Sequence, residues 1–428
     1  MDFFKLGCDV AVVGAGAAGL AAGIFTRRDS PRLSVAVLDG SPRPGAKILV
    51  SGGTRCNVTN SVVTDGDFWG GKRTIVRRVL NALPVADTVR FFEEIGVPLH
   101  EEPGGKLFPD SNRARDVLDA LLRELARRGG RLQPAARVSA VRKANGGFEL
   151  QTSAGPLNAR VVVLATGGRS LPKTGSDGAG YELARTLGHS LVAQTPALVP
   201  LVLEPHGIHA ALSGTAVDVE LSVWVDGAIA TRLSGALLFT HFGVSGPVVL
   251  NASRHWARAR VEQRDARVTV NFRSGSPFDA VDREWIDAAR DRPHATLRGF
   301  LSSHLPEKLA GAMLGVLGLP ADGQLSSLTR DDRRRLVHAL VAWPLPVIDT
   351  RGYNYAEVTA GGVRLDEIHP QTMESRVCPG LFLVGEILDV DGRIGGFNFQ
   401  WAWSSARAAA RGIRLSEAGT PLTGAERP

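Results

Sequence analysis

The stretch Val10–Gly19 constrains this chain more than any other. Asp9-Val-Ala-Val-Val13 is short, β-branched and apolar, which predicts a strand buried on both faces. Gly14-Ala-Gly16-Ala17-Ala18-Gly19 follows, then a helix over Leu20–Arg28 and a second strand over Leu33–Leu38. The glycines of this G-x-G-x-x-G serve different ends, because Gly14 permits the turn, Gly16 lets backbone approach a pyrophosphate, and Gly19 packs helix on strand. The N–H groups at the helix N-terminus, with those of Ala17 and Ala18 in the turn before it, then face the phosphates. A glycine-rich turn alone is common, but Asp39 lies 20 residues after Gly19, at the end of the second strand. A carboxylate there accepts hydrogen bonds from adenosine ribose hydroxyls and disfavours a 2′-phosphate. The unit therefore reads as a βαβ site for FAD or NAD, not NADP.

The 428 residues suffice for two or three domains with proper cores, and 44% apolar against 22% charged residues predicts folding over most of the length. The formal charge of +7 comes mainly from arginines scattered among acids, so no nucleic-acid partner is expected. Cys8, Cys56 and Cys378 form neither a CxxC pair nor a metal-ligand spacing, which fits a reducing cytoplasm and no bound metal. No signal-like h-region is visible, and no apolar run reaches the roughly 20 residues that cross a bilayer, so neither secretion nor a membrane is expected.

Along the chain, a polar glycine-rich loop over 41–60 precedes helical patterns at 74–83 and 86–95, a hairpin at 98–109 and a helix at 114–128. A small antiparallel meander at 137–143 and 148–152 leads into an apolar strand over Val161–Ala165. From about residue 191 the pattern becomes β-rich to about 275, then helical over about 280–343. Near Pro346 the sheet-like pattern returns, with a buried strand at Gly380–Val384 and a helix from about Asn398 to Arg411. The expected organisation is α/β: a discontinuous cofactor domain over 1–190 and 346–428, with residues 191–345 inserted.

Three later features select FAD. Pro44-Gly45-Ala46-Lys47 and Ser51-Gly52-Gly53-Thr54-Arg55-Cys56-Asn57-Val58-Thr59-Asn60 make a long loop dense in amides and hydroxyls, suited to phosphates, ribityl and flavin edge. The strand over Val161–Ala165 ends at Thr166-Gly167-Gly168, where backbone can approach a cofactor. Gly385-Glu386 puts a carboxylate just after a buried strand, placed to accept from a ribityl hydroxyl. Beyond it, Asp389 and Asp391 precede Gly395-Gly396-Phe397-Asn398-Phe399-Gln400, where a helix N-terminus can face the flavin pyrimidine edge.

The ordered set GAGAAGLAA, KILVSGGTRCNVTN, GGKLFPDSNRARDVLDAL, ATGG, TGSDGAGYELARTLGH, LLFTHFGVSGP, TAGGV and GLFLVGEILDVDGRIGGFNFQWAWSSA resembles the BaiN-like (YhiN, aminoacetone-oxidase-type) family of bacterial NAD(P)/FAD-dependent oxidoreductases, from Asp9 to about Arg411. The resemblance implies a glutathione-reductase-like FAD-binding Rossmann domain with an inserted β-barrel and helical domain. It also implies flavin contacts at Ala46, Lys47, Arg55, Cys56, Asn57, Val138, Glu386, Asp389 and Asn398–Gln400. The chain departs from the family at Asp39, where Glu is commoner, at Thr54 for Gly, and at Phe397 and Phe399 for Tyr and Leu. Ribose binding survives the first change, and the others alter fine packing.

For catalysis, His241 in Thr240-His-Phe-Gly-Val-Ser-Gly-Pro247 is an acid–base candidate, set against a plain packing role at a domain junction. Arg351 and Arg393 suit an anionic group but equally a surface, and Tyr181, Trp401 and Trp403 suit core packing. The leading expectation is an NAD(P)H-driven reductase of an activated double bond in a small hydrophobic molecule, through hydride transfer at flavin N5. With only one G-x-G-x-x-G unit, any nicotinamide either visits transiently or is absent. An amine or amino-ketone oxidase using oxygen, and a flavoprotein acting on RNA, are the alternatives. Oligomeric state has no signature in the sequence.

Overall fold

The computed structural model describes residues 7–205 and 207–417, so the outermost residues of the expected cofactor domain lie outside it. Two compact units emerge, one from the residues up to Gln194 together with those from Glu357 onward, the other Thr195–Ala356.

In the first unit, strand β1 (Cys8–Val13) leads through the glycine turn to helix α1 (Ala17–Asp29) and strand β2 (Val35–Leu38). Val10–Val13 and the whole of β2 are buried, as a parallel sheet covered on both faces requires. Helix α2 (Ala46–Thr54) breaks the 41–60 segment that sequence alone reads as loop, and it is kinked where Ser51, Gly52 and Gly53 leave helical geometry. The helix is short because two consecutive glycines at positive φ stop it. Helix α3 (Ala114–Arg127) then leads to strand β3 (Arg131–Gln133), and the meander β4 (Val138–Ala144), β5 (Gly147–Thr152) and β6 (Gly155–Leu164) follows. Strands β7 (Val358–Val363) and β8 (Leu381–Leu383) come from the C-terminal segment, which ends in helix α4 (Phe397–Glu417).

The sheet order is β3-β2-β1-β6-β5-β4, with β8 parallel to the C-terminal half of β6. Val13 lies opposite both Leu38 and Leu164, so the C-terminal ends of β1, β2 and β6 sit level. That is the edge at which α/β folds place ligands. Helix α4 packs against α1, with Trp401, Trp403 and Phe397 buried in one core with the sheet.

The second unit carries a seven-stranded sheet running Trp343–Leu345, Ala266–Asn271, Ala216–Val225, Ala228–Thr240, Gly243–Ser245, Leu201–Leu203, Val347–Thr350. Val219, Leu221, Val223 and Val225 are buried at every second position, which turns one face of the sheet to a core. Its first and last strands are separated in sequence only by Pro346, so the two edges are tied together in a barrel-like closure. Val347–Thr350, which the sequence pattern groups with the C-terminal segment, hydrogen-bonds instead with Leu201–Leu203. Helices Phe278–Asp291, Leu297–Ser302, Glu307–Leu317 and Arg330–Val341 share the core of this unit. Among the described residues no helix is long and apolar enough to cross a membrane.

Candidate functional site

The glycine turn is built as an open cradle. Gly14 has φ +105°, and a Cβ on it would lie 2.4 Å from the Ala165 carbonyl oxygen; a Cβ on Gly19 would lie 1.8 Å from that of Gly14. Both glycines are therefore required by the protein's own packing. Gly16 differs: a Cβ there meets nothing within 4 Å, so its smallness leaves space beside the helix. Helix α1 starts at that space with Gly16 as its N-cap and no side chain capping it, leaving the first-turn N–H groups at Ala17 and Ala18 directed outward. Open space, uncapped N–H groups and the positive end of a 13-residue helix fit a pyrophosphate. Asp39 stands beside it, one carboxylate oxygen accepting from Ala15 N at 2.6 Å and the other from Ser41 N at 2.8 Å. Each oxygen keeps a lone pair for a ribose hydroxyl.

A second cluster joins three distant segments. Lys47 Nζ donates to Glu386 Oε2 at 2.6 Å and to Ser170 Oγ at 2.5 Å. Glu386 Oε1 accepts from Ser170 Oγ at 2.8 Å and from Thr359 N at 2.9 Å. Thr359 Oγ1 in turn accepts from the backbone N–H groups of Arg169 and Ser170 at 2.8 and 3.1 Å, pinning the turn after Thr166-Gly167-Gly168. Gly168 is a necessity here, since a Cβ would come 2.4 Å from Thr359 Oγ1 and 2.8 Å from Glu386 Oε1. Gly45, at φ +75° and against Leu118, starts the helix that delivers Lys47, and Gly385, at φ +75° and against Ala18, delivers Glu386. The arrangement is a rigid, partly exposed ion pair that can orient polyol hydroxyls.

The remaining expected contacts divide. Gly52 and Gly53 hold positive φ at the kink after Ser51. Arg55 pairs with Glu102 at 2.5 Å and lies over the Phe108 ring at 4.0 Å, so its guanidinium braces the hairpin. Cys56 is fully buried and burial pushes its thiol up to about 12, which makes it a packed residue. Asn57 and Val138 are buried, as is Asp389, whose carbonyl accepts from Gly71 N. Gly395 and Gly396 have positive φ, and a Cβ on Gly396 would lie 2.4 Å from the Thr59 carbonyl oxygen. Asn398 turns back to bond both the N–H and the C=O of Gly392. Phe397 is buried and Phe399 stacks on Trp403.

The side chain of Gln400, a residue expected to contact the flavin, is directed inward. Its Oε1 accepts from Thr59 Oγ1 at 2.6 Å, and its Nε2 donates to the Leu83 carbonyl at 2.7 Å and to Ser404 Oγ at 3.0 Å. The amide is spent on holding α4 to Thr59 and Leu83. Arg393 pairs with Asp67 at 3.1 Å.

His241 belongs to the second unit. It is exposed, its ring edge-on to Phe242 at 5.1 Å. Arg351 lies over Phe242 at 4.3 Å and over Tyr355 at 3.8 Å, so His241, Phe242, Arg351 and Tyr355 form a stacked aromatic–cationic surface. Among the described residues no group of three His, Cys, Asp or Glu is placed to hold a metal.

Thr59 lies within the loop Ser51–Asn60 that the sequence marks, whereas Ser170 and Thr359 were not singled out. The latter two follow or lie within the glycine-rich runs Thr166-Gly167-Gly168 and Thr359-Ala-Gly-Gly362, whose tight backbone was the signal available.

A family model described as the HI0933-like protein Rossmann domain matches residues 8–412. The chain is 33% identical to a 3-dehydro-bile acid delta(4,6)-reductase of Clostridium scindens, over 94% of this chain and 98% of that one. It is also 33% identical to a ribosomal RNA dihydrouridine synthase of Escherichia coli, over 95% and 98%. In fold it is similar to a 3-ketosteroid delta1-dehydrogenase from Sterolibacterium denitrificans, with a TM-score of 0.50 at 14% identity, covering 96% of this chain and 99% of that one.

Proposed function

Because the chain belongs to the HI0933-like Rossmann family and is an FAD-dependent oxidoreductase, we propose that it saturates a carbon–carbon double bond conjugated to a carbonyl in a small hydrophobic ring molecule, drawing electrons from NADH or NADPH. One observation carries this reading. The two relatives act on unlike molecules, yet the activities in their names describe one reaction. A 3-dehydro-bile acid with delta(4,6) unsaturation has its double bonds in conjugation with the 3-oxo group. Making dihydrouridine saturates the uracil double bond next to a ring carbonyl. In both, the carbonyl polarises the alkene, so the carbon farther from it is electrophilic and the nearer one takes a proton.

Bound FAD supplies the hydride chemistry. The residues fitted to hold it are Gly14–Gly19 and Asp39 at the adenosine end, and Lys47, Ser170, Thr359 and Glu386 at the ribityl end. The protein orients the group through tightly packed backbone: Gly168 and Gly385 sit against Glu386 and Ala18. A small molecule is preferred over RNA because many surface arginines are locally neutralised, as in Arg90–Asp87, Arg113–Asp116 and Arg185–Glu182.

The test is anaerobic stopped flow on the FAD-bound protein. NADH or NADPH is expected to bleach the flavin bands, and 2-cyclohexen-1-one or a 4-en-3-oxo steroid to restore them. Bleaching by a small amine with neither nicotinamide active would replace the reductase with an oxidase. Restoration by uridine-containing RNA alone would move the substrate to nucleic acid.

A further inference from the structure

Helix Val85–Glu94 carries Asp87, Arg90, Phe91 and Glu94 at i, i+3, i+4 and i+7, a spacing that puts all four on one face. On α1, Phe25, Arg28 and Asp29 share a face in the same way, and on α4 Arg407 and Arg411 stand four residues apart. These three faces, together with Ala82 and Leu83, line a cavity of about 270 Å³. Arg28 and Asp29 close the C-terminal end of α1, whereas the pyrophosphate cradle is at its start. At 1.5 Å rise per residue, Arg28 lies about 17 Å along the helix from Ala17. The cavity is therefore separate from the cofactor cradle.

Phe25 and Phe91 touch, with ring centroids 4.9 Å apart, and give the cavity an aromatic wall. Arg28 lies over the Phe91 ring at 4.9 Å and Arg407 over the Phe25 ring at 5.5 Å. Three of the four lining guanidiniums are compensated. Arg28 pairs with Glu94 at 3.0 Å, Arg90 with Asp87 at 2.9 Å, and Arg407 with Asp29 at 2.6 Å. Glu124, outside the cavity, also holds Arg28 and is shared with Arg127 and Arg128. Arg411 is the exception, because among the described residues no carboxylate, carbonyl or hydroxyl accepts from its guanidinium. Although the residue reaches solvent, partial desolvation and the charges of Arg407 and Arg414 draw it below the usual arginine value, against Asp29 and Asp87. Four arginines against three carboxylates leave the lining one positive charge in excess. That charge sits on a planar fork of N–H donors in a cavity with an aromatic wall.

We propose that this cavity binds a small aromatic monocarboxylate, with its carboxylate on the Arg411 guanidinium and its ring against Phe25 and Phe91. The fork of an arginine matches a carboxylate through two parallel hydrogen bonds. One excess positive charge selects a monoanion, since a second negative charge on the ligand would face Asp29, Asp87 and Glu94 with no free cation to meet it. The ligand ring covers the aromatic wall and removes its surface from water. Binding here involves no covalent step and is independent of the reduction proposed above.

The test is calorimetric titration of the FAD-bound protein with benzoate, with the flavin absorption bands recorded at each addition. Benzoate is expected to bind the wild type and leave those bands unchanged. Benzamide keeps the ring and lacks the charge, and Arg411→Gln keeps the side chain's polarity and lacks the cation; each is expected to weaken binding at least about tenfold. Asp87→Asn removes a carboxylate from the lining and releases Arg90, so it is expected to strengthen benzoate about threefold. Circular dichroism and flavin content check the fold of both variants, and if Arg411→Gln does not fold, Asp87→Asn decides by the sign of its effect. No benzoate binding to wild type, equal affinity in Arg411→Gln, or affinity unchanged or weakened in Asp87→Asn overturns the proposal. Benzoate that shifts the flavin bands and keeps its affinity in Arg411→Gln is bound at the flavin, which overturns it as well.

Discussion

Replacing Gln400 by Met tests whether the start of α4 is a structural strut or a cofactor ligand. The side chain is buried, and its three hydrogen bonds run to Thr59 Oγ1, the Leu83 carbonyl and Ser404 Oγ. Methionine keeps the volume and removes the amide. The Leu83 carbonyl still receives Ser404 Oγ at 3.0 Å, so that acceptor survives. The Thr59 hydroxyl, itself fully buried, loses its good acceptor, leaving only a contact to the Asn60 carbonyl at 3.5 Å. An orphaned buried donor costs about 1–3 kcal/mol, and two lost amide bonds add roughly 0.5–1.5 kcal/mol each before the apolar gain of the thioether offsets part of it. The expected loss is about 2–4 kcal/mol. Urea unfolding of the FAD-saturated protein measures it, and FAD dissociation measured in parallel should change less than about threefold. Adding Thr59→Val removes the orphan, so the double variant should recover about 1 kcal/mol relative to the sum of the singles. Stability unchanged together with FAD affinity reduced about tenfold, some 1.4 kcal/mol, would refute the inward assignment.

Three further outcomes follow from particular contacts. Burial pushes the Glu124 carboxyl up, but Arg127, Arg128 and Arg28 outweigh it and hold the group at about 2. Since its folded value lies below the ordinary carboxyl range, its stabilisation is complete above about pH 4.5 and lost as pH falls towards 2; urea midpoints against pH should show this decline in wild type and lose that component in Glu124→Gln. Burial pushes Cys8 and Cys56 up to about 12 and raises Cys378 as well, so a thiol reagent at pH 8 should react slowly with the native protein and with three equivalents after unfolding. Gly168→Ala drives a methyl into Thr359 and Glu386, and equilibrium titration should show FAD affinity lowered at least about tenfold while the far-ultraviolet spectrum is kept.

The βαβ unit was legible because its determinants are local. Period, glycine spacing and the carboxylate at Asp39 all lie within about thirty residues, and steric exclusion at Gly14 and Gly19 leaves little choice of backbone. Lys47 and Glu386 were each nominated from their neighbours, but their mutual pairing spans 339 residues and no periodicity encodes it. Gln400 shows the same limit in reverse. A glutamine after Gly395-Gly396 at a helix start reads as available, and only Thr59, 341 residues earlier in the chain, consumes its oxygen. The strand Val347–Thr350 escaped because an apolar run states that it pairs, not with what, and Leu201–Leu203 lies some 145 residues earlier.

The pairing of Lys47 with Glu386 also narrows what the carboxylate can do. Oε1 already accepts from Ser170 Oγ and Thr359 N, which fills both of its in-plane lone-pair directions. Oε2 accepts from Lys47 alone, so it is the atom with room for one more donor. A cofactor hydroxyl meeting Glu386 must therefore approach Oε2, alongside the ammonium. Lys47 then acts by orienting the acceptor and by leaving the site with little net charge.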